Sequence, residues 1–475
     1  MTEKLKQSFS NMIVMKNEKL SLFSSLNIPS YIRDWFLKRY QDDDGDIDTN
    51  FIMERVKQIL PRKDNFSLLL DKMMNEGAEV TFLAKIKINL DIKDNLITFD
   101  LPDFGITKKE TYIFKSFWDE NKKSILNGNE EVWGIISLKY QEIQFGKKSE
   151  NRIVLTKFQS FKPYKTDLSY YKEVRKSFST EEWINVLLGA MDYNSEGFKE
   201  ENNKLAMLKR LLPFVEKRLN LIELAPKGTG KSYVFSQISK YGWLNSGGVM
   251  TRAKMFYDMR YNIDGLVANN DFVVLDEIAT IKFPDMNEMQ GAMKGYLESG
   301  TYTVGVKEGS GDAGVIFIGN IKQENMNVDE NMFSELPEIF NDSALLDRFH
   351  GFIEGWDIPR MNEGMKANGW ALNSEYFSEI LHLLREDITQ MDLVDKLIAC
   401  KNGDTRDIKA IKKITCAHLK LLFPHWLKID DVNKDEFIKY CLNPAVRMRG
   451  IIKKQLGILD VEYKNKSLPE FEINL

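Results

Sequence analysis

Leu221-Ile222-Glu223-Leu224-Ala225-Pro226-Lys227-Gly228-Thr229-Gly230-Lys231-Ser232 is a short apolar run that breaks into a small, glycine-bearing loop and then into a helical pattern. The first four residues fit a buried strand. A loop of small residues lets successive backbone N–H groups converge on an anion at a helix N-terminus, and Gly228 and Gly230 supply the backbone freedom for it. In such a phosphate loop Pro226, Lys227, Gly228, Thr229 and Gly230 form the cradle. Lys231 reaches the β- and γ-phosphates of ATP, and Ser232 offers its hydroxyl to Mg2+. The strict pattern asks for glycine at the first position, where this chain has Ala225.

Working outward, Asp271-Phe272-Val273-Val274-Leu275-Asp276-Glu277 is an apolar strand ending in two carboxylates, as expected of a Walker B element. Asp276 would hold Mg2+ through water, and Glu277 would orient and deprotonate the attacking water. A bare Asp-Glu after a strand is commonly a surface turn; its position after the phosphate loop gives it weight. A third strand, Val315-Ile316-Phe317-Ile318-Gly319, ends in Asn320, whose neutral amide can bond the attacking water or the γ-phosphate without competing for the metal. Arg348, in Leu345-Leu346-Asp347-Arg348-Phe349, precedes a fifth strand; in a ring it would enter the neighbour's site as a finger, and otherwise it would pair with Asp347 or another acid.

Length and composition set the frame. At roughly 150 residues per domain, 475 residues predict about three domains. With 43% hydrophobic and 29% charged residues the chain reads as globular, and a net charge of −4 excludes a wholesale basic coat while leaving room for a local one. Cys400, Cys416 and Cys441 form no CxxC pair, and four scattered histidines lack metal-ligand spacing, so no metal is expected beyond a nucleotide-bound one. No stretch approaches the ~20 apolar residues of a membrane helix and the N-terminus lacks a signal-like apolar region, so the expectation is a cytoplasmic protein with no membrane contact.

By segment, residues 1–78 read as an N-terminal helical region, in which Asp42–Asp48 fails the EF-hand spacing and is taken as a solvated turn. Residues 79–170 switch to period two and read as a small β-rich, OB-like domain. Its outward Lys85, Lys87, Lys139, Lys147, Lys148, Arg152, Lys157, Lys162 and Lys165, interleaved with Phe158, Phe161 and Tyr164, suit a nucleic-acid surface; a solvated sheet face with core aromatics is the alternative. Ser179-Thr180-Glu181-Glu182 is a capping box opening a helix. Residues 171–362 alternate strand and helix, an α/β core, and 363–475 read as a helical lid and tail, with Pro444 at the start of the last helix. Within the core, Gly300–Gly314 reads as a glycine-rich hairpin before the sensor strand. Lys307 is its candidate DNA-binding residue, with a plain connecting hairpin as the alternative. Arg447 or Arg449 in the last helix would contact the γ-phosphate, or be surface arginines.

The ordered set of phosphate loop, Asp276-Glu277, Asn320 and Arg348 is the signature of the AAA+ superfamily. Glu223 to Ser232, Ser246-Gly247-Gly248, Val274 to Glu277, Phe317 to Ile321, Asp347 to His350 with Gly355 to Pro359, and Phe178 to Leu188 more closely resemble the Lon-related ATPases of BREX phage-defence systems, the BrxL family. The resemblance implies an AAA+ P-loop core with a helical lid behind an α+β N-terminal domain. It further implies ATP and Mg2+ as cofactors, assembly into a hexameric or stacked ring, association with double-stranded DNA and with other BREX components, and a cytoplasmic role in antiviral defence. Long members of that family continue into a Lon-like protease domain for which this chain shows no room, so no peptidase activity is expected. The leading expectation is a DNA-translocating or DNA-remodelling ATPase. The alternatives are a protein unfoldase gripping polypeptide through Tyr302 and a nucleotide-gated DNA-binding scaffold in which Ala225 slows turnover.

Overall fold

The computed structural model describes residues 2–17, 23, 28–61, 63–91, 96–125, 131–146, 148–161, 164–260, 263–334, 336–464 and 466–474. The chain divides into two units, one of residues 1–38, 166–259 and 264–475, the other of residues 39–165 and 260–263. Four consecutive segments were expected instead. The first 38 residues fold with the phosphate-loop core because Ile13–Lys16 pairs antiparallel with Gly369–Leu372, Ile13 opposite Leu372. Phe9 is fully buried beside Tyr171, Phe178, Trp183 and Tyr376. Helical periodicity in residues 21–72 carries no information about which core each helix joins, and so the boundary at 78 is not the one the fold uses.

In the smaller unit the strands are β1 (Val80–Asp91), β2 (Leu96–Asp100), β3 (Thr111–Tyr112), β4 (Glu131–Phe145) and β5 (Lys148–Ser160), with helix α1 (Lys115–Ile125) between β3 and β4. Along β1, Val80, Phe82, Ala84 and Ile86 turn inward and meet Phe99, Ile136, Leu138 and Leu155, which is what period-two patterning demands. The sheet order is β2-β1-β4-β5-β3, with β3 parallel to β5 and the other pairs antiparallel. The Ile113 N–H then donates to the Ile97 carbonyl at 2.8 Å, bringing the segment after β3 back to β2. Gly134 permits the tight crossing of β4 and β5: a Cβ there would sit 2.5 Å from the Phe158 ring. Asp42 accepts the N–H groups of Asp44 and Asp46 at 3.1 and 2.7 Å, so the acidic stretch is a side-chain-stabilised turn.

The larger unit is built on a parallel sheet of β6 (Leu221–Ala225), β7 (Gly242–Ser246), β8 (Phe272–Asp276), β11 (Gly314–Asn320) and β12 (Gly351–Glu354), in the order β12-β6-β11-β8-β7. β6, β8 and β12 are buried throughout, as a parallel sheet covered on both faces requires. The hairpin β9 (Thr301–Val304) and β10 (Lys307–Ser310) follows helix α4 (Met286–Ser299) and immediately precedes β11. Helix α2 (Thr180–Ala190) carries the capping box, Ser179 and Glu182 each accepting the other's backbone N–H. Helix α3 (Lys231–Gln237) starts at the phosphate loop, and α5 (Ser374–Glu386), α6 (Thr405–Leu422) and α7 (Asn443–Leu459) follow the sheet. Ile451, Ile452 and Leu456 of α7 join the core of the sheet.

Pro444 is the second residue of α7, at the start of that helix as expected, but α7 does not begin from coil. Lys434–Phe437 runs through a π-helical turn, Ile438–Leu442, straight into α7, and the wider turn accommodates a residue without an N–H. Among the described residues no helix is long and apolar enough to cross a membrane.

Three histidines of this unit are held neutral. Burial pushes His418 and His425 down to about 4 and His350 well below its ordinary value of 6.5. His350 Nδ1 accepts the Asn220 N–H at 3.0 Å, a bond that the neutral ring alone can make. The unfolded chain therefore binds protons below about pH 6.5 that the folded chain refuses, so the stability these groups contribute is complete above that pH and falls as pH drops towards 4. Thermal melts should show a midpoint that declines over this window, with no contribution from these histidines to any change above it.

Candidate functional site

The candidate phosphate loop follows β6, an inner strand of the sheet, and its shape follows from residues beneath it. Gly228 and Gly230 have φ of 81° and 73°, left-handed values open to glycine, and a Cβ on Gly230 would also lie 2.7 Å from the Tyr193 hydroxyl. Ala225 is fully buried at the end of β6, where its neighbour is another glycine: a Cβ on Gly355 would come within 2.2 Å of the Ala225 Cβ. The missing loop glycine is thus accommodated by an absent side chain across the strand pair.

Sequence reading missed the support of this loop. Glu223, inside the apolar run of β6, is fully buried and bound by the equally buried Arg210, whose Nη2 lies 2.6 Å from Glu223 Oε1. Arg210 Nη1 donates to the Thr229 carbonyl at 2.7 Å, and Nη2 to the Thr229 hydroxyl at 3.3 Å. One guanidinium therefore ties the strand under the loop to the loop itself. The only sequence signal was the charged Glu223 in an otherwise buried strand, which demands a cation without naming it.

Lys231, Ser232, Asp276 and Asn320 converge above the strand ends. Lys231 Nζ donates to Asn320 Oδ1 at 3.0 Å and to the Pro226 carbonyl at 3.2 Å, and burial lowers its pKa from the ordinary lysine value. The Ser232 hydroxyl donates to Asp276 Oδ2 at 2.5 Å, and the other Asp276 oxygen accepts the Glu277 N–H at 2.8 Å. Glu277 is exposed, with φ 52° and ψ 44°, a left-handed conformation uncommon for a non-glycine residue. Beside it the turn Ser246-Gly247-Gly248 leaves room: a Cβ on Gly247 would stand 3.7 Å from Glu277 Oε2. Pro226 and Lys227 edge the loop, Lys227 exposed. Among the described residues no group of three or more His, Cys, Asp or Glu could hold a metal unaided.

The arginines separate. Arg447 of α7 forms a two-pronged pair with Glu354, at 2.7 and 2.9 Å, at the strand end next to the phosphate loop, and its side chain is 64% exposed. Arg449 is fully buried, its guanidinium bound to Asp407, Asp347 and the carbonyls of Asp347 and Phe349. It fastens α7 to the segment before β12 and has no path to a phosphate. Arg348 lies before β12, whose first residue, Gly351, is opposite Leu221 at the start of β6. The loop leaves the other end of β6, so Arg348 and the loop lie towards opposite ends of the strands. Arg348 Nε is 3.2 Å from Glu298, and Asp347 is engaged by Arg406 and Arg449.

Lys307 opens β10, one residue past the turn Gly305-Val306, with its ammonium 5.2 Å from the centre of the Tyr257 ring. Tyr302, by contrast, is 3% exposed and packs against Phe256 and Tyr296. In the smaller unit Phe158 and Phe161 are buried, so they are core aromatics and not a stacking surface. Lys139, Lys148 and Lys165 are exposed, Lys157 pairs with Glu79, and Lys147 and Lys162 lie outside the described residues. Arg152 instead lies over Phe145, which with Tyr112 and Phe114 makes a cluster that sequence spacing did not reveal.

Comparison with known proteins places the chain in a family. Residues 153–469 match the model for "Lon-like protease BrxL-like, ATPase domain", and residues 7–140 that for "BREX system Lon protease-like protein BrxL N-terminal". The chain is 30% identical to the Lon-like protease BrxL of Escherichia coli O9:H4 (strain HS), over 99% of its own length and 68% of that protein's. It is also 30% identical to the Lon-like protease BrxL of Bacillus cereus (strain H3081.97), over 98% and 69%. A weaker likeness, 25% over 57% of this chain and 63% of the relative, is to uncharacterized protein 440 of Sulfolobus islandicus rod-shaped virus 1. With both domain models matched and two relatives aligned along nearly its whole length, the chain belongs to the BrxL family and carries that family's N-terminal and ATPase domains.

Proposed function

We propose that this protein is an oligomeric AAA+ ATPase of BREX-type anti-phage defence, cytoplasmic, that binds double-stranded DNA and couples ATP hydrolysis to its translocation or remodelling. The observation that carries the ATPase reading is the convergence of Lys231, Ser232, Asp276 and Asn320, with the 2.5 Å Ser232–Asp276 contact at its centre. Hydroxyl and carboxylate oxygens are the hard donors that Mg2+ prefers, so Ser232 and Asp276 fit that ion. When bound it neutralises charge on the β- and γ-phosphate oxygens. Lys231 exchanges its Asn320 and carbonyl partners for the phosphates, Asn320 is then released towards the attacking water, and Glu277 takes the proton of that water. Arg447 stands at the same end of the strands as the loop and suits the γ-phosphate. Arg348, towards the opposite end, suits the triphosphate of an adjoining copy in a ring, hexameric by family likeness.

For DNA, the support is the strand order of the smaller unit. Counted along the chain its strands run 1-2-3-5-4 and back to 1, with a helix between the third and fourth, an order that supports the OB-like reading. Lys307 adds a cation at the tip of a hairpin next to the sensor strand. C-terminal helices α5–α7 supply the lid. The unfoldase reading loses its gripping residue, since Tyr302 is buried, and the scaffold reading loses its cause, since Gly355 makes room for Ala225.

Steady-state hydrolysis measured with and without duplex DNA, together with the mass of the assembly, tests the proposal. Stimulation by duplex supports it; stimulation by unfolded protein alone, or hydrolysis by a monomer, overturns it. Lys307→Ala should weaken duplex binding similarly across sequences and flatten its salt dependence, because each lost lysine–phosphate contact removes about one released counterion. An unchanged salt slope in a binding titration would remove Lys307 from the interface.

A further inference from the structure

We infer that Arg406 is presented together with Arg348 to the triphosphate of the adjoining copy, and that Glu298 is the acid holding both guanidiniums until that phosphate arrives. This rests on the proposed action of Arg348 across a subunit boundary. Arg406 stands in the first turn of α6, where Asp404 caps the helix and accepts the Arg406 N–H at 2.8 Å. Its Nη2 is 2.7 Å from Glu298 Oε2, the same oxygen that lies 3.2 Å from Arg348 Nε. Two arginines, one from the turn before β12 and one from the C-terminal helices, thus share one carboxylate.

Charge does not balance at this cluster. Arg449 and Lys453 are buried and occupy Asp407, each at 2.6 Å, and Arg449 also holds Asp347 at 2.6 Å. Arg406 reaches Asp347 as well. Among the described residues the side-chain ion pairs join four cations (Arg348, Arg406, Arg449, Lys453) to three acids (Glu298, Asp347, Asp407), and the two arginines that are part exposed, 20% and 34%, share the least acid. The Nε atoms of Arg348 and Arg406 are both buried and make no hydrogen bond among the described residues. Among the described residues the Arg348 side chain makes a single hydrogen bond, to the Ala344 carbonyl, although a guanidinium carries five N–H donors. Glu298, 44% exposed, holds its partners through a solvent-screened contact that contributes little. A triphosphate carries more charge and more acceptor oxygens than that carboxylate, and arginine forks match phosphate geometry. Phosphate from the neighbour would then draw the turn arginine and the helix arginine to one point.

Subunit mixing tests this directly. Arg406→Ala alone should lower hydrolysis about 10- to 100-fold, as expected for loss of a charge-assisted contact, with ATP affinity retained. Mixed with Glu277→Gln, which spoils its own pocket but keeps both arginines, about one boundary in four of an equimolar ring joins an intact pocket to intact arginines, so activity should return. Arg348→Ala mixed with Glu277→Gln is the control for the parent reading. Rescue in both mixtures supports the inference. Rescue with Arg348→Ala alone places Arg406 in its own subunit and overturns it; rescue in neither overturns the parent reading and this one with it. If Arg406→Ala does not assemble, Arg406→Gln, able to keep a hydrogen bond to Asp347, takes its place, and full activity of that variant also overturns the inference.

Discussion

Glu277→Gln should reduce steady-state ATP hydrolysis by about 10²–10⁴-fold, the usual range for a lost general base, while ATP stays bound. The two adjacent carboxylates have been given different work by their surroundings. Asp276 is buried, bonded to the Ser232 hydroxyl and to the Glu277 N–H, so both its oxygens are already engaged. Glu277 has its backbone in the left-handed region and its side chain exposed beside the glycine turn at Gly247. A side chain that keeps its place by backbone conformation and makes no hydrogen bond of its own among the described residues is free to accept a proton from water. Glutamine preserves size and removes that basicity. Hydrolysis assays paired with retention of a fluorescent ATP analogue check the prediction, and wild-type turnover in the variant would take the base role away from Glu277. Asp276→Asn should differ in kind, lowering Mg2+-dependent binding as well as turnover.

The strand and loop before Ser232, the strand ending at Asp276 and the strand tip at Asn320 were legible in the sequence because each rests on a local rule: an apolar run of fixed length, small residues where the backbone turns tightly, a polar residue at a strand tip. Those rules are carried by neighbours in the chain. What the sequence hid depends on residues far apart. Arg210 and Glu223 meet across a strand and a loop, Gly355 makes space for Ala225 from another strand, and the strand Ile13–Lys16 joins a partner more than 350 residues away. Arg447 and Arg449 differ by two positions on one helix, too close for composition to rank them, yet one points to the loop edge and the other is sealed among acids. The aromatics of the smaller unit show the same limit. Phe158 and Phe161 belong to the core, whereas the partly exposed cluster of Tyr112, Phe145 and Phe114 draws on two strands and the segment after one of them.

Arg210→Ala should destabilise the phosphate-loop unit by about 3–5 kcal/mol, because it leaves Glu223 charged, fully buried and unpaired. The double variant Arg210→Met, Glu223→Leu should recover most of that loss, since a buried ion pair replaced by apolar groups of similar volume is often neutral in stability. Nucleotide affinity should not recover with it. Arg210 also donates to the Thr229 carbonyl and hydroxyl, and Thr229 sits between the two left-handed glycines of the loop. Without that tether the loop's N–H groups lose their fixed convergence, and ordering them again has to be drawn from binding energy. Chemical denaturation followed in parallel with ATP titration separates the two effects: stability restored with weakened ATP binding is the expected pair of results. Full recovery of both would reduce Arg210 to a charge partner, and loss of neither in the single variant would mean that Glu223 finds another cation.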